Sequence, residues 1–192
     1  MIKLIGHKKN KSAIFISGNG SNLKSLIKFS KIKLSPISIN LIITNNKNAI
    51  GLKYSNHFNI EKKFIDFKYK KTAEKKILIL LVKKKIKLIC LAGFMKILSK
   101  NFIKKFKGKI INIHPSLLPK YKGLNTHKRA IQNKEKFSGC TVHYVSTNLD
   151  SGKIIMQKKI KIKKNDTASS LGKKILKIEH KLYSSAIRKI YT

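Results

Sequence analysis

SAIFISGNGSNLKSLIKF, residues 12 to 29, is the stretch on which the fold turns. Residues 12–17 are a short apolar strand, Gly18-Asn19-Gly20-Ser21-Asn22 is a glycine-rich turn, and Leu23, Leu26 and Ile27 then recur at helical spacing. A strand that breaks into such a turn and restarts as a helix offers an anion free backbone N–H groups and the positive end of the helix. The dinucleotide fingerprint needs a third glycine at position 23, where Leu23 stands, and a P-loop needs a Gly-Lys-Ser/Thr ending that is absent. A single phosphate monoester is therefore the best guest for the loop. A tight βα turn with no ligand remains the alternative at this point.

The same alternation continues along the chain. A second strand is expected over Ile37 to Thr44, then a short helix near residues 49–55, a weaker strand near 63–67 and a lysine-faced helix over 72–84. IKLICLA, residues 86–92, reads as a central parallel strand, and Gly93-Phe94-Met95-Lys96-Ile97-Leu98 as the turn into a helix ending near Phe106. This order predicts an α/β fold, a doubly wound, mostly parallel twisted sheet flanked by helices, with a Rossmann-like N-terminal half. Ligands in such sheets bind beyond the carboxyl ends of the strands.

One of those ends stands out. INIHPSLLPKYKGLNTH, residues 111–127, is an apolar strand that delivers Asn112 and His114 to its end and stops at Pro115. Residues i and i+2 of a strand share a face. An amide beside an imidazole suits a site that holds an oxyanion and moves a proton, although two surface polar groups at a strand end would look the same.

Beyond it lie a short helix at Thr126–Gln132, a strand at Cys140–Ser146 with His143 as a partly buried structural histidine, and a turn at residues 148–152. A lysine-alternating strand at 154–162 precedes a final amphipathic helix over 167–191, with Glu179 beside its apolar stripe. No repeat or linker divides the chain, so one domain is expected over residues 1–192: a basic leader at 1–11, the Rossmann-like half at 12–108, and a second half at 109–192.

The charge is extreme: 45 Lys+Arg against seven Asp+Glu, a net +38. Taken alone that points to nucleic acid. Yet only Arg129 and Arg188 are arginines, and the lysines are spread over every segment alongside abundant Ile and Asn. Lys, Ile and Asn share A/T-rich codons, and no arginine stripe with interleaved aromatics is present. Nucleotide bias in the genome explains this profile, and nucleic acid is not expected as a partner. Carboxylates are so scarce that one in an apolar or glycine-containing context is worth following. Cys90 and Cys140 sit in apolar strands and read as core residues in a reducing compartment. The histidines lack ligand-spaced partners, so no metal is expected. Neither a secretory signal nor a membrane span is visible, and a cytoplasmic location is expected.

Four stretches, FISGNGSNL, LAGFMKILS, INIHPSLLPKY-GLNTH and GCTVHYVSTNLDSGKIIMQ, stand in an order and spacing that closely resemble the folate-dependent phosphoribosylglycinamide formyltransferases. The resemblance covers nearly the whole chain beyond the leader. It implies formyl transfer from 10-formyltetrahydrofolate, as co-substrate, to the amine of glycinamide ribonucleotide in purine biosynthesis. Asn112, His114 and Asp150 match the catalytic trio of that family. Gly20, Ser21 and Asn22 match its phosphate loop, and Leu176, Lys177, Ile178 and Glu179 a ribonucleotide-contacting stretch. Met95, Lys96, Ile97 and Leu98, with Ser146, Thr147, Asn148, Leu149 and Asp150, match the folate-contacting segments, which Asn112 and Lys70 join. The halves then become a ribonucleotide-binding half and a folate-binding, catalytic half, in a monomer or weak homodimer.

Three positions depart from the family pattern: Lys122 where proline is usual, Asn125 where histidine is frequent, and Lys70 or Lys71 where an arginine is placed. Lysine keeps the charge but loses the two-pronged geometry. Two other functions share the pattern: a formyltetrahydrofolate hydrolase using the same residue types with water as acceptor, and a nucleic-acid-binding protein on an inactive formyltransferase fold. The hydrolases carry an extra N-terminal domain for which the leader is too short. In the transfer mechanism, Asn112 and protonated His114 are expected to donate to the formyl oxygen while Asp150 favours the imidazolium.

Overall fold

The structure is a computed structural model, and it describes residues 9–192. In chain order the elements are β1 (Asn10–Ile16), α1 (Ser21–Lys31), β2 (Ile37–Thr44), α2 (Leu52–His57), β3 (Lys62–Phe64), α3 (Lys70–Lys83), β4 (Leu88–Leu91), α4 (Lys100–Lys105), β5 (Lys109–His114), α5 (Thr126–Gln132), β6 (Phe137–Tyr144), β7 (Ile154–Lys161) and α6 (Ala168–Tyr191). The strands form one sheet in the order β3-β2-β1-β4-β5-β6-β7. Strands β1 to β5 are parallel, and β6 and β7 run antiparallel to their neighbours. This is the doubly wound, mostly parallel α/β fold that the alternation of elements implies.

Side-chain alternation along β1 builds both cores. Ile14 and Ile16 face a cluster with Leu23, Leu26 and Ile27 of α1 and Leu171, Ile175 and Tyr183 of α6. Ala13 and Phe15 face the other cluster, with Ile77 and Leu81 of α3 and Phe102 of α4. Both faces of the central strands are therefore covered, which is why they read as unbroken apolar runs. The edge strand β3 is a short Lys-Lys-Phe, all exposed, and lysine on a short edge discourages pairing with another sheet.

Several boundaries depart from expectation. The leader assigned to residues 1–11 lies outside the described residues as far as residue 8, but β1 already begins at Asn10, because Asn10 and Lys11 pair with Ile37 and Ser38. The predicted helix after Gly93 is largely absent: Phe94–Leu98 has no regular structure, and α4 begins at Lys100, capped by Ser99, whose side chain accepts the Phe102 N–H. β6 starts at Phe137, earlier than expected, and α3 at Lys70.

Two features aim the sheet at its ligand edge. The chain turns one way from β1 to β2 and β3 and the other way from β4 to β5, so the carboxyl ends of β1 and β4 border a crevice. Long helix α6 opens with a reciprocal Thr167/Ser170 cap. It is anchored where the buried Tyr183 hydroxyl reaches the carbonyls of Leu91 (3.0 Å) and Ile111 (3.2 Å), on β4 and β5. One turn earlier on the same helix stands Glu179.

Candidate active site

The Gly18–Asn22 turn caps α1 at its N-terminus. Gly20 has φ 69°, and a Cβ there would lie 2.6 Å from the Gly51 Cα, so backbone handedness and close approach both require glycine. Among the described residues no side chain caps α1, which leaves the N-terminal N–H groups available to a ligand. The turn lines a cavity of about 250 Å³ with Ser17, Ala92, Gly93 and Met95. At its rim Asn22 Nδ2 donates to Glu179 Oε2 at 2.8 Å. Among the described residues the buried Asn22 Oδ1 has no partner. Burial pushes the Glu179 carboxyl up to about 7, and the single Asn22 donor opposes that only in part.

Two strands away, on β5, Asn112 pairs with Leu91 on one side and with His143 on the other. The three polar side chains close on Asp150. His114 Nδ1 lies 3.3 Å from Asp150 Oδ2, and His143 Nε2 lies 3.6 Å from Oδ1. Asn112 Nδ2 is 3.5 Å from Oδ1 and 3.3 Å from His143 Nε2. Asp150 stands at φ 45° in the Ser146–Gly152 turn, and the Gly123 N–H donates to its Oδ2 at 2.9 Å. Gly152 closes the turn because a Cβ there would sit 1.7 Å from the Tyr144 carbonyl oxygen.

Backbone carbonyls only accept, so they set the histidine protons. His114 Nε2 donates to Tyr121 O at 2.8 Å and His143 Nδ1 to Tyr144 O at 2.9 Å. Burial works to raise the Asp150 pKa, but the His143 contact, the Gly123 N–H and the neighbouring imidazoles outweigh it and hold the carboxyl below its ordinary value. Burial lowers the His114 pKa, and the Tyr121 carbonyl and Asp150 only partly offset it. Burial thus works against the imidazolium that the contact with Asp150 favours. Each imidazole addresses a different oxygen of Asp150 rather than a common point, and among the described residues no three His, Cys, Asp or Glu side chains gather as metal ligands.

Both edges were assembled from sequence-distant pieces. A formyl transferase family profile matches residues 10–187. The chain belongs to the formyl transferase family. Its curated relatives include the trifunctional purine biosynthetic protein adenosine-3 of Homo sapiens, 39% identical over 94% of this chain, and that of Chironomus tentans, 40% identical over 97%. The chain spans only 18% and 14% of the length of those two proteins. Among solved structures, the phosphoribosylglycinamide formyltransferase from Brucella melitensis is 40% identical with a TM-score of 0.90, covering 95% of this chain and 96% of that one. The phosphoribosylglycinamide formyltransferase from Bacillus halodurans is 33% identical with a TM-score of 0.91, covering 95% and 96%.

Within this formyl transferase the expected residues divide. Asn112, His114 and Asp150 converge, as do Asn22 and Glu179. Met95 lines the Gly20 cavity rather than only a folate surface. The Leu98 side chain is 6% exposed and turned into the core, which leaves only its backbone for a ligand. Lys177 is exposed, 200° around α6 from Glu179, and the Leu176–Glu179 stretch cannot face one ligand as a unit. Lys70 and Lys71 are exposed at the start of α3, and among the described residues neither is hydrogen-bonded to the Asp150 cluster. Reading His143 as structural missed its place: it is 2% exposed and touches both Asn112 and Asp150. Only the β5–β6 register reveals that. The larger hollow, about 360 Å³ and lined by Tyr121, Glu135 and Phe137 among others, holds none of these groups, and its carboxylate is already engaged by Lys120 and Tyr121. The chemistry belongs at the strand edge.

Proposed function

We propose that the chain transfers the formyl group of 10-formyltetrahydrofolate to the amine of glycinamide ribonucleotide, giving formylglycinamide ribonucleotide and tetrahydrofolate in cytoplasmic purine synthesis. The observation that carries this reading is the juxtaposition of two built sites on one sheet edge. An uncapped helix start with Asn22 and Glu179 suits a phosphorylated sugar, and a carboxylate–imidazole–amide cluster two strands away suits acyl transfer.

The folate co-substrate supplies an activated formyl carbon. The amine nitrogen attacks it, the new C–N bond forms, and the carbonyl electron pair moves onto oxygen. Asn112 Nδ2, held only by contacts of 3.3 and 3.5 Å, is the donor free to turn toward that oxygen. Both nitrogens of resting His114 are engaged, so His114 acts with Asp150 on the proton. A proton from the attacking nitrogen passes to the pair through an ordered water and leaves to the folate nitrogen as the old C–N bond breaks. The exposed side chains of Met95, Ile97 and Leu149 offer an apolar surface for the folate ring system.

Following folate absorbance with and without glycinamide ribonucleotide tests the assignment. Turnover that requires both substrates is expected; turnover with folate alone would make the protein a hydrolase. Salt-sensitive binding to nucleic acid with no formyl transfer would replace the enzyme reading altogether.

A further inference from the structure

Four of the carboxylates have buried side chains, and three have evident work. Asp166 is ion-paired with Lys174, and Asp150 and Glu179 stand at the two sites. Glu74, 4% exposed on α3, is the fourth. Among the described residues it forms no ion pair, in a chain with 45 basic side chains. Both of its oxygens go instead to one residue: the Ser99 N–H donates to Oε1 at 2.7 Å and the Ser99 hydroxyl to Oε2 at 2.5 Å.

Ser99 ends the irregular segment that begins at Gly93. The start of that segment is held as well, since Ser17 N–H donates to Gly93 O at 3.0 Å and Met95 N–H to Ser17 Oγ at 2.8 Å. Between the pins Leu98 plugs into the core, while Met95 and Ile97 are 61% and 64% exposed. A segment fastened at both ends that keeps two large apolar side chains in water is preorganised for a ligand.

We propose that Glu74 is a positioning residue for the folate co-substrate. Its carboxylate fixes Ser99, Ser99 fixes the end of the segment, and the segment presents Met95 and Ile97 to the folate; this rests on the function proposed above. A carboxylate suits this arrangement because it accepts from the Ser99 N–H and hydroxyl at once. Glutamine would offer one acceptor, and the Ser99 hydroxyl would have to turn round and accept from its N–H instead.

Steady-state kinetics of Glu74→Gln, Ser99→Ala and the double variant test this, with KM for each substrate measured separately. Glu74→Gln is expected to raise KM for 10-formyltetrahydrofolate about tenfold with KM for glycinamide ribonucleotide within about twofold. Ser99→Ala keeps the backbone donor and should fall between Glu74→Gln and wild type, and the double variant should be no worse than Glu74→Gln. An unchanged folate KM, or equal rises in both KM values, makes Glu74 merely structural and overturns the proposal. If Glu74→Gln fails to fold, Ser99→Ala decides by the same split. Wild-type protein without transferase activity would sink the functional reading itself, whereas an active wild type with an indifferent Glu74→Gln sinks only this role.

Discussion

Asp150 and Glu179 are both buried carboxylates on one sheet edge, yet their environments drive them in opposite directions. Asp150 meets a backbone N–H and two imidazoles and is held below the ordinary carboxylate range. Glu179 meets one amide and is pushed up to about 7. Burial is common to both, so the number of donors aimed at the oxygens decides the charge. One edge of the site is built to keep a permanent anion beside a histidine. The other holds a carboxyl that is half protonated near neutrality, next to a loop proposed to take a phosphate, where a permanent anion would repel the guest.

The largest break in that contrast comes from neutralising the permanent anion. Asp150→Asn is expected to lower kcat at least about a hundredfold while the protein stays folded, and His114→Ala to do the same. Purified variants with wild-type turnover and unchanged circular dichroism would remove both from the chemistry. His143→Phe keeps an aromatic ring, though a larger one, and deletes the nitrogen that meets Asn112 and Asp150. Loosening that amide should cost roughly ten- to a hundredfold in kcat with little change in either KM. A change confined to KM would assign His143 to binding instead.

How far all this was legible follows from where the information sits. Apolar periodicity is local, and β2 and α5 fall at the residues it marks. Lys96, Ile97 and Leu98 carry a helical pattern too, but Ser17 holds the Met95 N–H and Glu74 holds Ser99, so tertiary hydrogen bonds keep the segment irregular. Asn112 and His114 announce themselves as an i, i+2 pair. His143 does not, because its neighbour Asn112 lies on a strand 31 residues away and only register joins them. The groups that set proton positions, Tyr121 O, Tyr144 O and Gly123 N–H, belong to the backbone, and residue identity says nothing about them.

Glu179→Gln sharpens the contrast from the other edge. The raised Glu179 pKa means that the folded state keeps a proton the unfolded chain releases between its ordinary 4.5 and about 7. Its contribution is therefore full below 4.5 and is lost as pH rises through 7. His114, His127 and His180 have lowered values, so their contribution is present above the ordinary 6.5 and is lost as pH falls below it. Glutamine mimics the protonated acid. The variant should gain stability relative to wild type by about 1 to 3 kcal/mol between about pH 5 and pH 7.5, read from urea midpoints. A difference that stays flat with pH would show that Glu179 is ionised throughout. Loss of its ribonucleotide contact should raise that KM about tenfold.

The smallest effect is expected at the rim, at Lys122. Lys122 Nζ donates to Ser151 Oγ at 2.6 Å, linking the turn that carries Gly123 to the residue after Asp150. Position alone makes this an attractive brace for the carboxylate. Its setting argues otherwise, because the lysine is exposed and water can replace either partner. The buried brace from Gly123 N–H to Asp150 Oδ2 also survives any side-chain change at Lys122. Lys122→Ala should therefore alter kcat and both KM values by less than about twofold. A tenfold loss would mean that Asp150 depends on a surface contact, and the contrast between its closed setting and the thinly supplied Glu179 would no longer explain their charges.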